Sequence, residues 1–198
     1  MFSSVMSRLQ DRRDAAADLG EDAGFTLIEL MVVLLILAIL LAIAIPTFLG
    51  VTGGANDRAS QSNINTALTT AKAAESQNTN QVYTGITAGS LHTSEPSINF
   101  QGGAVTAAGQ VSVYVSSDGN GIVLASWSPA ASGTCWYASD NTATVTDTTN
   151  AYAAAGVPPA LVAGTTYGRS ALGTTKANCN AAAAIPAGTT WGTGFSAV

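Results

Sequence analysis

One carboxylate set in an apolar run, two cysteines and a single histidine are the residues of this 198-residue chain whose chemistry stands out. The carboxylate is Glu29, and every residue from Leu30 to Ile45 after it is apolar. On insertion scales a charged side chain at the centre of a spanning helix costs about 2.5–3.5 kcal/mol, so Glu29 calls for a cationic partner. No Lys or Arg lies between Gly24 and Arg58. Cys135 and Cys179 form an even pair: a disulfide in an oxidising compartment, free or metal-bound thiols in a reducing one. His92 sits in a Ser/Thr-rich stretch, and the chain has no GxSxG, no HExxH and no CxxC. These residues assemble neither a nucleophilic triad nor a zinc ligand set. The expectation is a protein that is not an enzyme, with no catalytic residue, no metal and no cofactor.

The elements that hold these residues follow from composition. Only 10% of residues are charged and the formal net charge is −5, against roughly a quarter charged in an average soluble domain. A surface built from Ala, Thr, Ser, Gly and Asn suits packing against copies of itself. Nucleic-acid binding requires a Lys/Arg field that displaces counterions. After the apolar run only Arg58, Lys72, Arg169 and Lys176 are basic, so no strong nucleic-acid binding is expected. Three Trp, five Tyr and strand-like runs argue against intrinsic disorder.

Residues 1–24 are a polar head with Arg8, Arg12 and Arg13 against Asp11, Asp14, Asp18, Glu21 and Asp22. Phe25–Leu49 then has only Thr26, Glu29 and Thr47 as polar interruptions. As a helix this segment spans about 37 Å, enough for a hydrocarbon core of about 30 Å. Three Arg precede the span and Arg58 alone follows closely, which keeps the N-terminus cytoplasmic and exports the rest. Pro46, Gly50, Gly53 and Gly54 are expected to interrupt the helix. The pattern resumes at Ala55–Glu75, where Ile64, Ala67, Leu68, Ala71 and Ala74 recur at helical spacing.

Beyond residue 80 the period becomes two. Val111–Val115 and Ile122–Trp127 flank Asp118-Gly-Asn-Gly121 and read as a β-hairpin. The Asp-Gly-Asn-Gly run begins like a calcium loop but lacks the later ligands, and a turn is the simpler reading. Thr134–Ser139 is a third expected strand and Ala143–Thr146 a weak fourth. Ala153–Val198 reads as irregular loop with at most short strands.

The border between polar head and span is Gly24-Phe25-Thr26-Leu27-Ile28-Glu29-Leu30. Here the sequence resembles the type IV prepilin family, which also includes the pseudopilins of type II secretion. The resemblance covers roughly residues 24–49. It implies cleavage between Gly24 and Phe25 by a membrane-embedded prepilin peptidase and N-methylation of Phe25. It also places Glu29 and Pro46 where family members commonly have them, with an assembly role for both: Glu29 of one subunit pairs with the freed Phe25 amino group of a neighbour. That amine has a reference pKa of about 7.7–8.0. The implied partners are identical or related pilin subunits, the peptidase, an inner-membrane assembly platform, and the membrane itself before assembly.

Two plainer readings stand beside this one. Thr26-x-x-Glu29 fits a capping box, in which Glu29 satisfies free N–H groups at a helix start. Ala42-Ile43-Ala44 is a passable A-x-A site for an ordinary signal peptidase. Pro46 would interrupt any helix by removing one backbone hydrogen bond. In pilin-like filaments the segment after this proline unwinds on packing, and Gly50, Gly53 and Gly54 favour the same here.

The expected architecture is α+β and pilin-like: a long N-terminal helix, hydrophobic in its first half, packed on a small antiparallel sheet with a loop-rich C-terminal region. Its parts are a leader, 1–24; an assembly helix, 25–49; the second half of the helix, 50–80; and an exported β-rich head, 81–198. A Cys135–Cys179 bridge would close a loop of about 44 residues, worth about 4 kcal/mol on the chain-entropy model. The resemblance implies a comparable C-terminal disulfide loop. Trp127, Trp136, Tyr137 and Tyr167 are core or a ligand surface, and Trp191 and Phe195 anchor the tail or meet a neighbour. The functional expectation is a type IV pilin whose filament serves adhesion, motility or DNA uptake. The alternatives are a type II secretion pseudopilin and a membrane-anchored monomeric adhesin.

Overall fold

The computed structural model describes residues 25–130, 133–153, 161–170 and 174–198. The chain forms two compact units, one ending at Pro46 and the other starting at Thr47. Helix α1 is Leu27–Gln77, 51 residues with Pro46 inside it. The described part of the first unit is helix from Leu27 on, and every described residue from Phe25 to Val51 is exposed. By length and composition it is the one described helix that could cross a membrane.

In the second unit α1 buries Ser60, Ile64, Ala67, Leu68 and Ala71, a single face at three- and four-residue spacing. That face meets a six-stranded sheet of order β1-β2-β3-β4-β5-β6. The strands are β1 Asn99–Gln101, β2 Gln110–Val115, β3 Gly121–Ser128, β4 Thr134–Asn141, β5 Gly164–Arg169 and β6 Thr190–Gly192. All neighbours are antiparallel except β1 and β2, which are parallel. A short helix α2, Ala88–Ser94, precedes β1 and starts with a Thr87–Ser90 capping box.

Alternation along β3 and β4 builds two cores, one on each face of the sheet. Ile122, Leu124, Trp136 and Ala138 point at α1, with Val111, Val113 and Leu91. Val123, Ala125, Cys135 and Tyr137 point away, under Val105, Val145, Tyr152 and Ile185 from the loops. Both faces are covered, which is why all eight residues of β4 are buried.

The β2–β3 hairpin forms as the two-residue period indicates, closing on a turn at Asp118–Asn120. Gly119 there has φ +74°, and a Cβ would run into Thr84. Two expectations are corrected. Pro46 does not interrupt α1, and neither do the glycines at 50, 53 and 54. Each glycine costs only about 1 kcal/mol relative to Ala, and a Cβ at Gly53 would meet Ala130 at 4.0 Å. Ala143–Thr146 is not a strand: Val145 N donates to Leu161 O, and Thr146 N to Asp118 Oδ2. The sheet is mostly antiparallel as expected, with β1 and β2 its one parallel pair among the described strands.

Candidate functional site

Thr26 is the N-cap of α1 and Glu29 occupies its third helical position. Four N–H groups at a helix start lack intrahelical acceptors, and a capping box satisfies two of them reciprocally. Here Glu29 N donates to Thr26 Oγ1 at 3.2 Å, and Thr26 N donates to Glu29 Oε2 at 2.8 Å. Thr26 Oγ1 donates to the same Oε2 at 2.8 Å. The carboxylate thus caps the helix through one oxygen, and among the described residues Oε1 has no hydrogen bond. Capping and pairing with an outside cation are therefore compatible for this side chain.

Around Glu29 the surface is apolar. Phe25, Ile28, Leu30, Val32 and Val33 line a shallow groove that Glu29 opens onto. Phe25 is 89% exposed, at the first described position of the chain. Gly24, with the rest of 1–24, lies outside the described residues. Pro46 lies within α1 and has no N–H to give to the carbonyl of Ala42.

The second unit holds the other residues of interest. Cys135 in β4 and Cys179 are bridged, with Cα atoms 5.4 Å apart, and both are fully buried. The aromatic residues are largely core. Phe195 packs edge-on against Trp136 and Tyr167, at 5.6 and 4.6 Å between ring centroids. Trp191 lies 6.0 Å from Tyr137. The tail is thereby anchored on its own domain. His92 is exposed, its Nδ1 2.8 Å from Ile98 O. Among the described residues no three His, Cys, Asp or Glu gather to hold a metal.

Sequence reasoning missed a polar cluster under α1. Asp140, 7% exposed, accepts hydrogen bonds from the Tyr83 hydroxyl and from Thr165, and pairs with Lys72. Burial, then the Asp140 carboxylate, raise the Tyr83 hydroxyl well above its usual value. No spacing signal announces these partners, because they come from four separate stretches of chain.

The family model of the prokaryotic N-terminal methylation motif matches residues 21–45. No curated protein and no solved structure matches the chain. The match runs from the acidic end of the polar head, through the Gly24–Phe25 junction and the Thr26–Glu29 cap, into the exposed apolar helix. Residues 21–45 thus carry the prokaryotic N-terminal methylation motif.

Proposed function

We propose that this chain is the precursor of a type IV pilin, a structural subunit cut between Gly24 and Phe25, methylated on Phe25 and assembled into an extracellular filament through its N-terminal helix. Such motifs mark pilin-like and pseudopilin substrates of prepilin processing. The observation that carries the reading is the state of the helix. Nineteen large hydrophobic side chains between Phe25 and Val51 are exposed. At about 1.5–3 kcal/mol for each such side chain buried, the surface demands a cover worth tens of kcal/mol. Lipid supplies it first, in a membrane-anchored precursor whose N-terminus is cytoplasmic. Neighbouring helices supply it in the filament.

Glu29 has a specific part in the exchange. Cleavage frees the α-amino group of Phe25, a cation with no counterpart elsewhere in the span. The uncommitted Oε1 of Glu29 on a neighbouring subunit is the acceptor, and the pair sets the axial register. Pro46 and the glycines after it supply the place where helix can be given up on packing.

The test is the intact mass and N-terminal sequence of protein sheared from expressing cells. A start at methylated Phe25 is the expected result. A start at Ile45, or an uncut Met1 in a host with the peptidase, overturns it. Electron microscopy of the same material separates long surface filaments from the short periplasmic assembly of a pseudopilin.

A further inference from the structure

Charge in the second unit is sorted by end. The four cations after the span are Arg58, Lys72, Arg169 and Lys176. Lys72 is neutralised by Asp140, 2.8 Å away. The other three lie at the end of the sheet where α1 enters the domain. Arg58 falls between Asp57, which accepts a hydrogen bond from Trp136 Nε1 at 3.1 Å, and Ser60, which donates to Trp127 O at 3.2 Å. Arg169 closes β5 directly across from Trp136 and stacks on its ring at 5.4 Å. Its Nε is buried without a hydrogen-bond partner. Lys176 stands 5.6 Å over the Trp127 ring, on a turn fixed there by Trp127 Nε1 donating to Thr174 O. Trp191 faces Gly168, one position from Arg169, so all three indoles of the chain share this end.

Carboxylates collect at the opposite end. Glu75 is in the last turn of α1, Asp118 in the β2–β3 turn and Asp140 near the end of β4. Asp147 accepts from the Tyr114 hydroxyl and from Ser117 N. Counting Asp57, the α1-entry end carries a formal charge of +2. The far end, with Lys72 and these four carboxylates, carries −3, and Glu95, which follows α2, is counted at neither end.

We infer that the entry end, through Arg58, Arg169 and Lys176, docks on anionic phospholipid headgroups of the membrane that holds the apolar helix. The inference rests on reading Phe25–Leu49 as the span. Arg58 follows Val51, the last exposed large apolar residue of α1, by about two helical turns. Arg58, the cation next to the span, is thus delivered to the headgroup layer by the chain itself. A second copy of the chain is the competing occupant, through its acidic end. That end offers little: Asp118, Asp140 and Asp147 are each committed to hydrogen bonds inside their own domain. Of these four, Glu75 alone has no carboxylate hydrogen bond among the described residues. Lipid phosphate is the better counter-charge.

The test reconstitutes the full chain at one copy per nanodisc, in phosphatidylcholine alone or mixed with phosphatidylglycerol. Tryptophan fluorescence is compared with and without a headgroup nitroxide lipid. Quenching is expected in the anionic discs and not in the neutral ones, and 1 M salt, where the Debye length is about 3 Å, abolishes it. Arg58→Gln and Lys176→Gln each lower the docked-to-undocked ratio about fivefold. Equal quenching in both lipids, or variants without effect, overturns the inference. So does quenching that appears only when several copies share a disc, whatever the lipid, because the occupant is then a second copy. A chain that does not enter discs at all overturns the span reading instead, and the two failures are separately visible.

Discussion

Lys72 Nζ lies 2.8 Å from Asp140 Oδ1 and joins α1 to β4 at the end of the sheet away from the helix entry. Lys72 also donates to Thr165 Oγ1 at 2.9 Å, so the contact reaches β5 as well. The two partners differ in exposure, 44% for the Lys72 side chain and 9% for Asp140. Asp140 is therefore the costly one to remove. Asp140→Ala leaves the buried Tyr83 hydroxyl without its acceptor, a loss of about 1–3 kcal/mol. Lys72→Met keeps that bond and breaks a pair open to solvent, at about 1 kcal/mol or less. Thermal unfolding of the two variants in detergent, followed by near-UV circular dichroism, should show the larger drop in Tm for Asp140→Ala.

Acid should loosen the β2–β3 end of the domain first. Burial pushes the Asp118 carboxyl up, but donors from Ser116, Thr146 and Asn120 outweigh it and hold it at about 2, below its ordinary 3.8. Asp147 is lowered in the same way, burial being opposed by Tyr114, Ser117 and Thr149. A depressed folded pKa contributes stability that is present above the unfolded value and lost as pH falls through the folded one. Unfolding free energy should therefore decline from about pH 4 toward pH 2. Asp118→Asn should flatten that decline while leaving neutral-pH secondary structure in place. A variant with the unchanged acid limb would count against the assignment.

Local rules made part of this fold legible. The helical face Ile64–Ala71 and the Val111–Trp127 hairpin carry periods of 3.6 and 2 strong enough to survive into the structure. The junction at Gly24–Phe25 and the lone Glu29 stood out because an acid in an apolar run is expensive. Long-range pairing was not legible. Gly164–Arg169 is poor in apolar residues and falls in a stretch that reads as loop with at most short strands, yet all six pair with β4. Ala143–Thr146 has strand-like residues whose N–H groups go elsewhere. The sorting of Arg58, Arg169 and Lys176 to one end is a property of the folded sheet, since more than a hundred positions separate the first from the others.

The disulfide fixes the C-terminal loops to the strand that both cores share. Cys179 also accepts a backbone bond from Val105 N at 3.1 Å, and Ser170 N donates to Cys135 O at 2.9 Å. Replacing both cysteines by Ser removes a cross-link worth about 4 kcal/mol on the chain-entropy model. Both sulfurs are buried, so mild reductant should leave the native bridge intact and cut it only under denaturing conditions. Thiol labelling with and without urea measures this directly. Ready labelling of the native protein would show that these loops open more easily than their packing implies.

Glu29→Ala separates the two uses of one side chain. As a cap, Glu29 supplies a single oxygen to Thr26, and its removal should cost the start of α1 about 0.5–2 kcal/mol. In a 51-residue helix, fraying of one turn does not remove the apolar surface, so membrane insertion and cleavage after Gly24 should continue. As the counter-charge of a neighbour's freed Phe25 amine, Glu29 should be needed for incorporation, and sheared filaments should contain little of the variant. Glu29→Gln is the informative companion. It keeps an oxygen to accept from Thr26 and removes the charge, so it should restore the cap and still fail to assemble. Filaments built normally from Glu29→Gln would leave capping as the whole role of this residue and remove the charge pair from the assembly scheme.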